Sequence, residues 1–327
     1  MTSSFPLATV LMPTYNSAKF VGAAVESILN QTVDNFELLI VDDGSSDDTV
    51  SVVQSYRDPR IRLVQRSTNG GIVAALNDGL AQIQSPFVMR MDADDVSLPE
   101  RLKIQIKYLE QNQNLALCGS DFFPLIEGAT ELSSWVKFFE PEQVSVACLF
   151  TNPICHPTVT FRRSLLPTEG YTAAYPHAED FAMWITLSEH SRITNLPDKL
   201  LKYRVHPEQV SKTDNPAQSR STESLLRQQL KRLALEPTEP EMIAHRALGG
   251  AFVPHPRLEM FLERWTQRIL KANEEFRIWN AVALQMQINR RREDAMQFHN
   301  ARLKEMPFWR RWRWRAYYRQ LDRSGAS

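Results

Sequence analysis

Cysteine is scarce: three stand in 327 residues (Cys118, Cys148, Cys155), and no two form a CxxC pair. That excludes a disulfide framework or a thiolate zinc site, and free thiols in a reducing cytoplasm are expected. Cys155 adjoins His156, but neighbours in sequence point in different directions, so the pair is not by itself a nucleophile or metal site. No apolar run reaches the roughly 18 residues that a membrane span requires. The first seven residues lack the basic segment and apolar core of a secretory signal. Neither a GxGxxG fingerprint nor a Walker lysine motif occurs, which removes support for dinucleotide and P-loop sites. Internal repeats and low-complexity segments are missing too.

What remains is an ordinary globular composition, 43% hydrophobic and 23% charged. The length suits one large domain with an appendage, or two domains. Net charge is zero but unevenly spread: residues 302–323 hold eight Arg or Lys and two acids, leaving a mildly acidic body. Within that tail, residues 306–319 hold six aromatics and five arginines. Arginine mixed with Trp and Tyr suits the headgroup zone of an anionic membrane. A packed C-terminal helix with exposed arginines is the plain alternative, and nucleic acid is not expected.

The first 120 residues alternate strand and helix patterns. Apolar runs at 7–12, 36–41, 61–64, 87–91 and 115–119 read as strands; helical spacing marks 18–29, 46–56, 71–83 and 99–111. Such units predict a mostly parallel central sheet with helices on both faces. From 120 to 212 the pattern is less regular. Residues 212–218 are a polar break, and helices are expected beyond it, at 222–235, 240–248, 255–272 and 275–305. The boundary is therefore placed between 1–212 and 213–327.

In parallel sheets, ligands bind beyond the carboxyl ends of the strands. Two of those ends here are acidic: Asp42-Asp43-Gly44-Ser45, and Asp92-Ala93-Asp94-Asp95. Stacked like charges raise each other's cost of ionising, so a cation is expected beside the second run. Asp92 and Asp94, as alternate residues of an extended segment, would face one way. Asp95 reads as a cap for the helix near Pro99. Asp42-Asp43-Gly44-Ser45 would also make a good strand-to-turn connection.

In order, the polar islands are Pro13-Thr14-Tyr15-Asn16, Asp42-Asp43-Gly44-Ser45, Asn69-Gly70-Gly71 with Asn77, Asp92-Ala93-Asp94-Asp95 with Pro99, Asn152-Pro153 before His156-Pro157, Glu179-Asp180 with Trp184, and Tyr203-Arg204-Val205-His206 with Ser211. This order closely resembles the family 2 glycosyltransferases of bacterial surface-polysaccharide assembly, over about residues 5–212. The resemblance implies an α/β GT-A nucleotide-sugar-binding fold with a helical C-terminal extension. It implies an inverting, metal-dependent transfer from a nucleoside diphosphate sugar to a glycan or lipid-linked acceptor. Asp94 would ligate Mn²⁺ or Mg²⁺ with support from Asp92, and His206 would complete the coordination. Pro13, Thr14, Tyr15, Asp42, Asp43, Asp92 and Ala93 would hold the nucleotide side. Asp180 would be the base, with Glu179 orienting the acceptor. Many members carry arginine where this chain has Leu76, so one base contact is lost; a UDP-sugar still heads the donors.

Other roles stay open at this level. Trp184 suits sugar stacking or the core, and its apolar context favours the core. Arg204 faces diphosphate or pairs with an acid of the fold, and His156 suits a rigid cleft wall. The cell compartment implied is the cytoplasm, with peripheral contact at the membrane's inner face. Two other functions remain: a nucleotidyltransferase, though no glycine-rich basic loop follows the first strand, and an inactive glycan-binding scaffold, against which the intact acidic sets argue.

Overall fold

The computed structural model describes residues 5–125, 136, 139–205 and 215–307. It divides into two compact units: residues 1–145 with 152–222, and residues 146–151 with 223–327.

The first unit alternates β1 (Ala8–Thr14), α1 (Val21–Leu29), β2 (Phe36–Asp42), α2 (Thr49–Ser55), β3 (Ile61–Gln65), α3 (Ile72–Leu80) and β4 (Phe87–Arg90). There follow β5 (Val96–Ser97), α4 (Arg101–Gln111), β6 (Leu115–Leu125), α5 (Pro141–Ala147), β7 (Thr160–Arg162), α6 (Glu179–His190) and β8 (Arg192–Arg204). The strands join in one sheet in the order β3-β2-β1-β4-β7-β6-β8-β5. The β3-β2-β1-β4 half is parallel, as is the β6–β8 pair; β7 runs antiparallel to both β4 and β6. The sheet is thus mixed, flanked by helices.

Continuous apolar strands work here because both faces are covered. Val10, Met12, Leu38, Ile40 and Met89 are fully buried, in one cluster with Val25 and Ile28 of α1. Gly79 lets α3 lie close on the sheet, since a Cβ there would stand 2.3 Å from a methyl of Leu11. In the parallel register Ala8 faces both Phe36 and Phe87. β2, β1 and β4 therefore end side by side, which brings Thr14, Asp42 and Arg90 to one edge.

Several local expectations change. The strand expected at 115–119 runs on to Leu125 and pairs in parallel with β8, with bulges near Ser120 and Asp121 that mask its period. The helix read from residue 46 begins at Thr49; the Ser46 amide and hydroxyl donate instead to Asn16 Oδ1. Asp48 holds the N-cap position of α2 without a side-chain cap, and Asp47 accepts from the Thr49 amide at 3.0 Å just before it.

The second unit is helical, with α8 (Glu239–Leu248), α9 (Leu258–Phe276) and α10 (Ala281–Glu305). Leu262, Trp265, Ile269, Leu284 and Ile288 form its core with Leu149 and Phe150. α7 (Pro216–Lys231) starts earlier than expected. The Asn215 side chain caps it by accepting from the Ala217 amide at 3.0 Å, and proline is tolerated in a first turn. The break read at 212–218 is therefore partly a helix start. No helix among the described residues is long and apolar enough to cross a membrane.

Candidate active site

A cleft of about 1090 Å³ opens in the first unit along the edge where β1, β2 and β4 end. On one side Pro13, Thr14, Tyr15 and Asp43 line it, with Asp92 and Asp94 beyond; on the other lie Asn152, His156, Glu179 and Asp180. Two acidic islands 87 residues apart in sequence thus share one cavity, counting from Asp92 to Glu179.

The adjacent acids Asp42 and Asp43 do different things. Asp42 is buried and does not line the cleft: it accepts from the Thr14 hydroxyl at 3.1 Å and from the Ser45 hydroxyl and amide at 2.5 and 3.0 Å. It braces the strand end. Asp43 does line the cleft, and accepts from the Gly70 and Gly71 amides at 2.9 and 2.7 Å and from the Arg66 guanidinium. Gly71 stands at φ 82°, the left-handed region in which a side chain would be strained. Tyr15 is 49% exposed, an open ring at this end of the cleft. Leu76 is fully buried and offers the cleft nothing.

Asp92, Asp94 and Asp95 each place one carboxylate oxygen within 4.8 Å of the others. The segment is a tight turn at Ala93 and Asp94, not the extended run that alternate spacing suggested. Ala93 is buried and does not line the cleft. Asp95 is not a helix cap. Its Oδ1 accepts from the Arg204 amide at 2.7 Å, and Pro99 and Glu100 open α4 without a side-chain cap. The Arg204 side chain donates from Nε to the Asp94 carbonyl at 2.7 Å and packs over Phe20. Arg204 thus clasps the acidic turn from the edge of β8.

Part of the compensating charge comes from Arg90, which the sequence conceals in an apolar strand. Its guanidinium pairs with both oxygens of Asp92, at 2.5 and 2.6 Å. Spacing of two residues on a strand puts both on one face, and that signal could have found the pair. Burial raises the Asp92 carboxyl, Arg90 pulls it back, and the nearby Asp94 charge adds to the rise. Burial, then the Asp92 and Asp94 charges, drive Asp95 well above the usual carboxylate range, against the pull of the Arg204 amide and of Arg90. Asp95 Oδ2 is buried with no partner among the described residues. Three converging carboxylates, one with an unsatisfied oxygen, are a donor set that fits a hard divalent cation. His206 lies outside the described residues, as does the tail beyond Pro307.

Across the cleft, Glu179 and Asp180 form the first turn of α6, where carboxylates suit the helix dipole. Asp180 accepts from Asn152 Nδ2 at 2.8 Å and from its own helix's Phe181 amide at 2.7 Å. Burial, then the Glu179 charge, pushes Asp180 up to about 6. Burial also raises Glu179, whose Oε2 has no partner among the described residues. Trp184 is fully buried, so it belongs to the core and stacks no sugar. Asn152 belongs to one of the polar islands of the sequence, but nothing there paired it with Asp180, 28 residues on.

The glycosyl transferase family 2 model matches residues 9–168. A Haemophilus influenzae glycosyltransferase is 30% identical over 237 residues, covering 69% of this chain and 73% of that protein. The chain belongs to glycosyltransferase family 2. Another relative is the Escherichia coli UDP-Glc:alpha-D-GlcNAc-diphosphoundecaprenol beta-1,3-glucosyltransferase WfgD, 28% identical over 63% of this chain and 79% of its own. The fold is that of S. aureus TarS (residues 1–349), with TM-score 0.57, 20% identity and 92% of each chain covered. This is a glycosyltransferase of GT-A fold.

Proposed function

We propose that this glycosyltransferase moves a sugar from a nucleoside diphosphate donor to a glycan hydroxyl, with inversion at the anomeric carbon. The observation that carries the reading is Asp180: a carboxylate with its pKa near 6, at a helix start, in the same cleft as the acidic turn. A base so tuned is ionised at neutral pH yet still takes a proton readily. Its oxygen accepts the acceptor hydroxyl's proton as the hydroxyl oxygen bonds to the anomeric carbon. The bond from that carbon to the diphosphate breaks, and the nucleoside diphosphate leaves.

Asn152 holds Asp180 in place, and Glu179 orients the acceptor beside it. Tyr15 and Asp43, with the backbone at Pro13 and Thr14, receive the nucleoside, while Asp42 shapes that wall from behind. Asp94, with Asp92 and His206, is the ligand set proposed for Mn²⁺ or Mg²⁺. Bound there, such an ion would supply charge to neutralise the leaving diphosphate. UDP is the nucleotide we place first, and the name of the Escherichia coli relative favours a lipid-linked glycan acceptor in surface-polysaccharide synthesis. Peripheral membrane contact through residues 306–319 would bring the enzyme to that substrate.

The test is a hydrolysis screen of UDP-, GDP- and dTDP-sugars with and without Mn²⁺. Metal-dependent release of the nucleoside diphosphate supports the reading. Pyrophosphate release from a nucleoside triphosphate and a sugar phosphate would mean a nucleotidyltransferase, and no turnover of either kind a scaffold.

A further inference from the structure

His156 sits in the cleft wall with one ring nitrogen already committed. Its Nε2 lies 2.8 Å from the hydroxyl of Tyr171, itself buried. Its Nδ1 has no partner among the described residues, yet is not sealed from the cleft that His156 lines. The ring stands edge-on to Trp184, one helical turn beyond Asp180, at 5.7 Å between centroids. It also shares its loop with Asn152, the partner of Asp180. His156 therefore belongs to the half of the cleft that holds the base.

A ring nitrogen held this way has a fixed tautomer. The phenol of Tyr171 keeps its proton, because burial raises it beyond its ordinary range. A phenol is the better donor and an imidazole nitrogen the better acceptor, so Tyr171 donates to Nε2 and the ring proton stands on Nδ1. Burial and the nearby Arg90 charge disfavour the imidazolium, which leaves the ring neutral and unsuited to taking a proton.

The tyrosine is itself fixed. Asn77 of α3 donates to the Tyr171 carbonyl and accepts from its amide, both at 2.8 Å. Gly170, at φ +66°, gives Asn77 the room: a Cβ there would stand 2.4 Å from Asn77 Oδ1. The chain Asn77–Tyr171–His156 thus fixes a ring of the cleft wall whose one N–H donor is uncommitted.

We propose that His156 Nδ1–H binds a hydroxyl oxygen of the acceptor sugar, so His156 is an acceptor-positioning residue and not a base. The inference rests on the reading of Asp180 as the base, and the experiment separates the two. With the donor identified by hydrolysis, transfer to a panel of octyl glycosides is compared with transfer to water. His156→Asn keeps an N–H near the Nδ1 position; His156→Gln reaches toward Tyr171 but loses that donor. The expected result is an acceptor KM raised at least tenfold in His156→Gln and within about threefold in His156→Asn, because losing the donor leaves a group in the cleft unpaired. Donor hydrolysis stays within twofold in both. Tyr171→Phe, by releasing the tautomer, gives an intermediate KM, and imidazole ¹⁵N spectra show a protonated Nδ1 in the wild type only. A purely structural role predicts the reverse order of the two His156 variants. That order, equal loss of hydrolysis and transfer, or a proton on Nε2 would overturn the proposal. Failure of the wild type to hydrolyse any nucleotide sugar would instead strike the donor reading.

Discussion

Arg90 and Asp92, two residues apart at the end of β4, form a two-point ion pair with N–O distances of 2.5 and 2.6 Å. The arginine is buried, and its Nε has no partner among the described residues. This pair offsets part of the charge that Asp92, Asp94 and Asp95 bring to one turn. Breaking a buried pair strands a charge, whereas replacing both partners by apolar groups can be nearly neutral.

Arg90→Met is therefore expected to destabilise the protein by about 3–5 kcal/mol. The double variant Arg90→Met/Asp92→Leu should recover most of that stability in urea unfolding while losing transfer activity. Equal stability of wild type and single variant would mean that the pair compensates nothing.

Asp180 gives a signed pH prediction. Its value near 6 in the folded protein lies above the ordinary aspartate value of 3.8, so the unfolded chain releases the proton first. Stability is then lost as pH rises from 3.8 to about 6, and the cost persists above that. At about 1.36 kcal/mol per unit, the shift costs of order 2–3 kcal/mol at neutral pH. Asp180→Asn should unfold at higher temperature than wild type at pH 7.5, with the gain vanishing at pH 4. Calorimetry at the two pH values checks this.

The same group sets the rate. A base must be ionised, so kcat/KM should rise with pH along an acid limb centred near 6. A flat profile from pH 5 to 8 would assign the proton to another group.

How much of this was legible in sequence depended on how local each feature is. The alternating strands and helices, and the acids at the ends of β2 and β4, are periodic or adjacent patterns, and they lie where those patterns put them. Arg90 was hidden because a charged residue inside Phe-Val-Met-Arg-Met reads as strand; only its two-residue spacing from Asp92 betrays it. Asp42 and Asp43 look equivalent side by side, but alternation turns one into the strand end and the other toward the cleft. The Asp95–Arg204 bond spans 109 residues and the Asn77–Tyr171 clasp 94, separations that no local pattern encodes.

The Asn77 clasp makes Gly170 intolerant of a side chain. Gly170→Ala meets both a positive φ and the Asn77 amide oxygen, and should cost roughly 1–3 kcal/mol. Its melting temperature should fall, and Asn77→Ala should fall comparably without adding to it, since both act on one contact. Additive losses would uncouple them.

Cys118 and Cys148 should be inert. Both are buried, and burial pushes each thiol up to about 12. Ellman's reagent at pH 8 should modify neither in the folded protein, whereas all three cysteines should react in guanidinium chloride. Fast reaction of Cys118 or Cys148 in the native state would contradict that picture.

The central claim, that Asp180 takes the acceptor's proton in a cleft whose other half holds the donor, is tested most directly by Asp180→Asn. Transfer rate and donor affinity should be measured on the same preparation. The account predicts a loss of at least about 100-fold in kcat, the scale of general-base catalysis, with nucleoside diphosphate affinity in Mn²⁺ within about threefold of wild type. Near-normal transfer by the variant with donor still bound would contradict it.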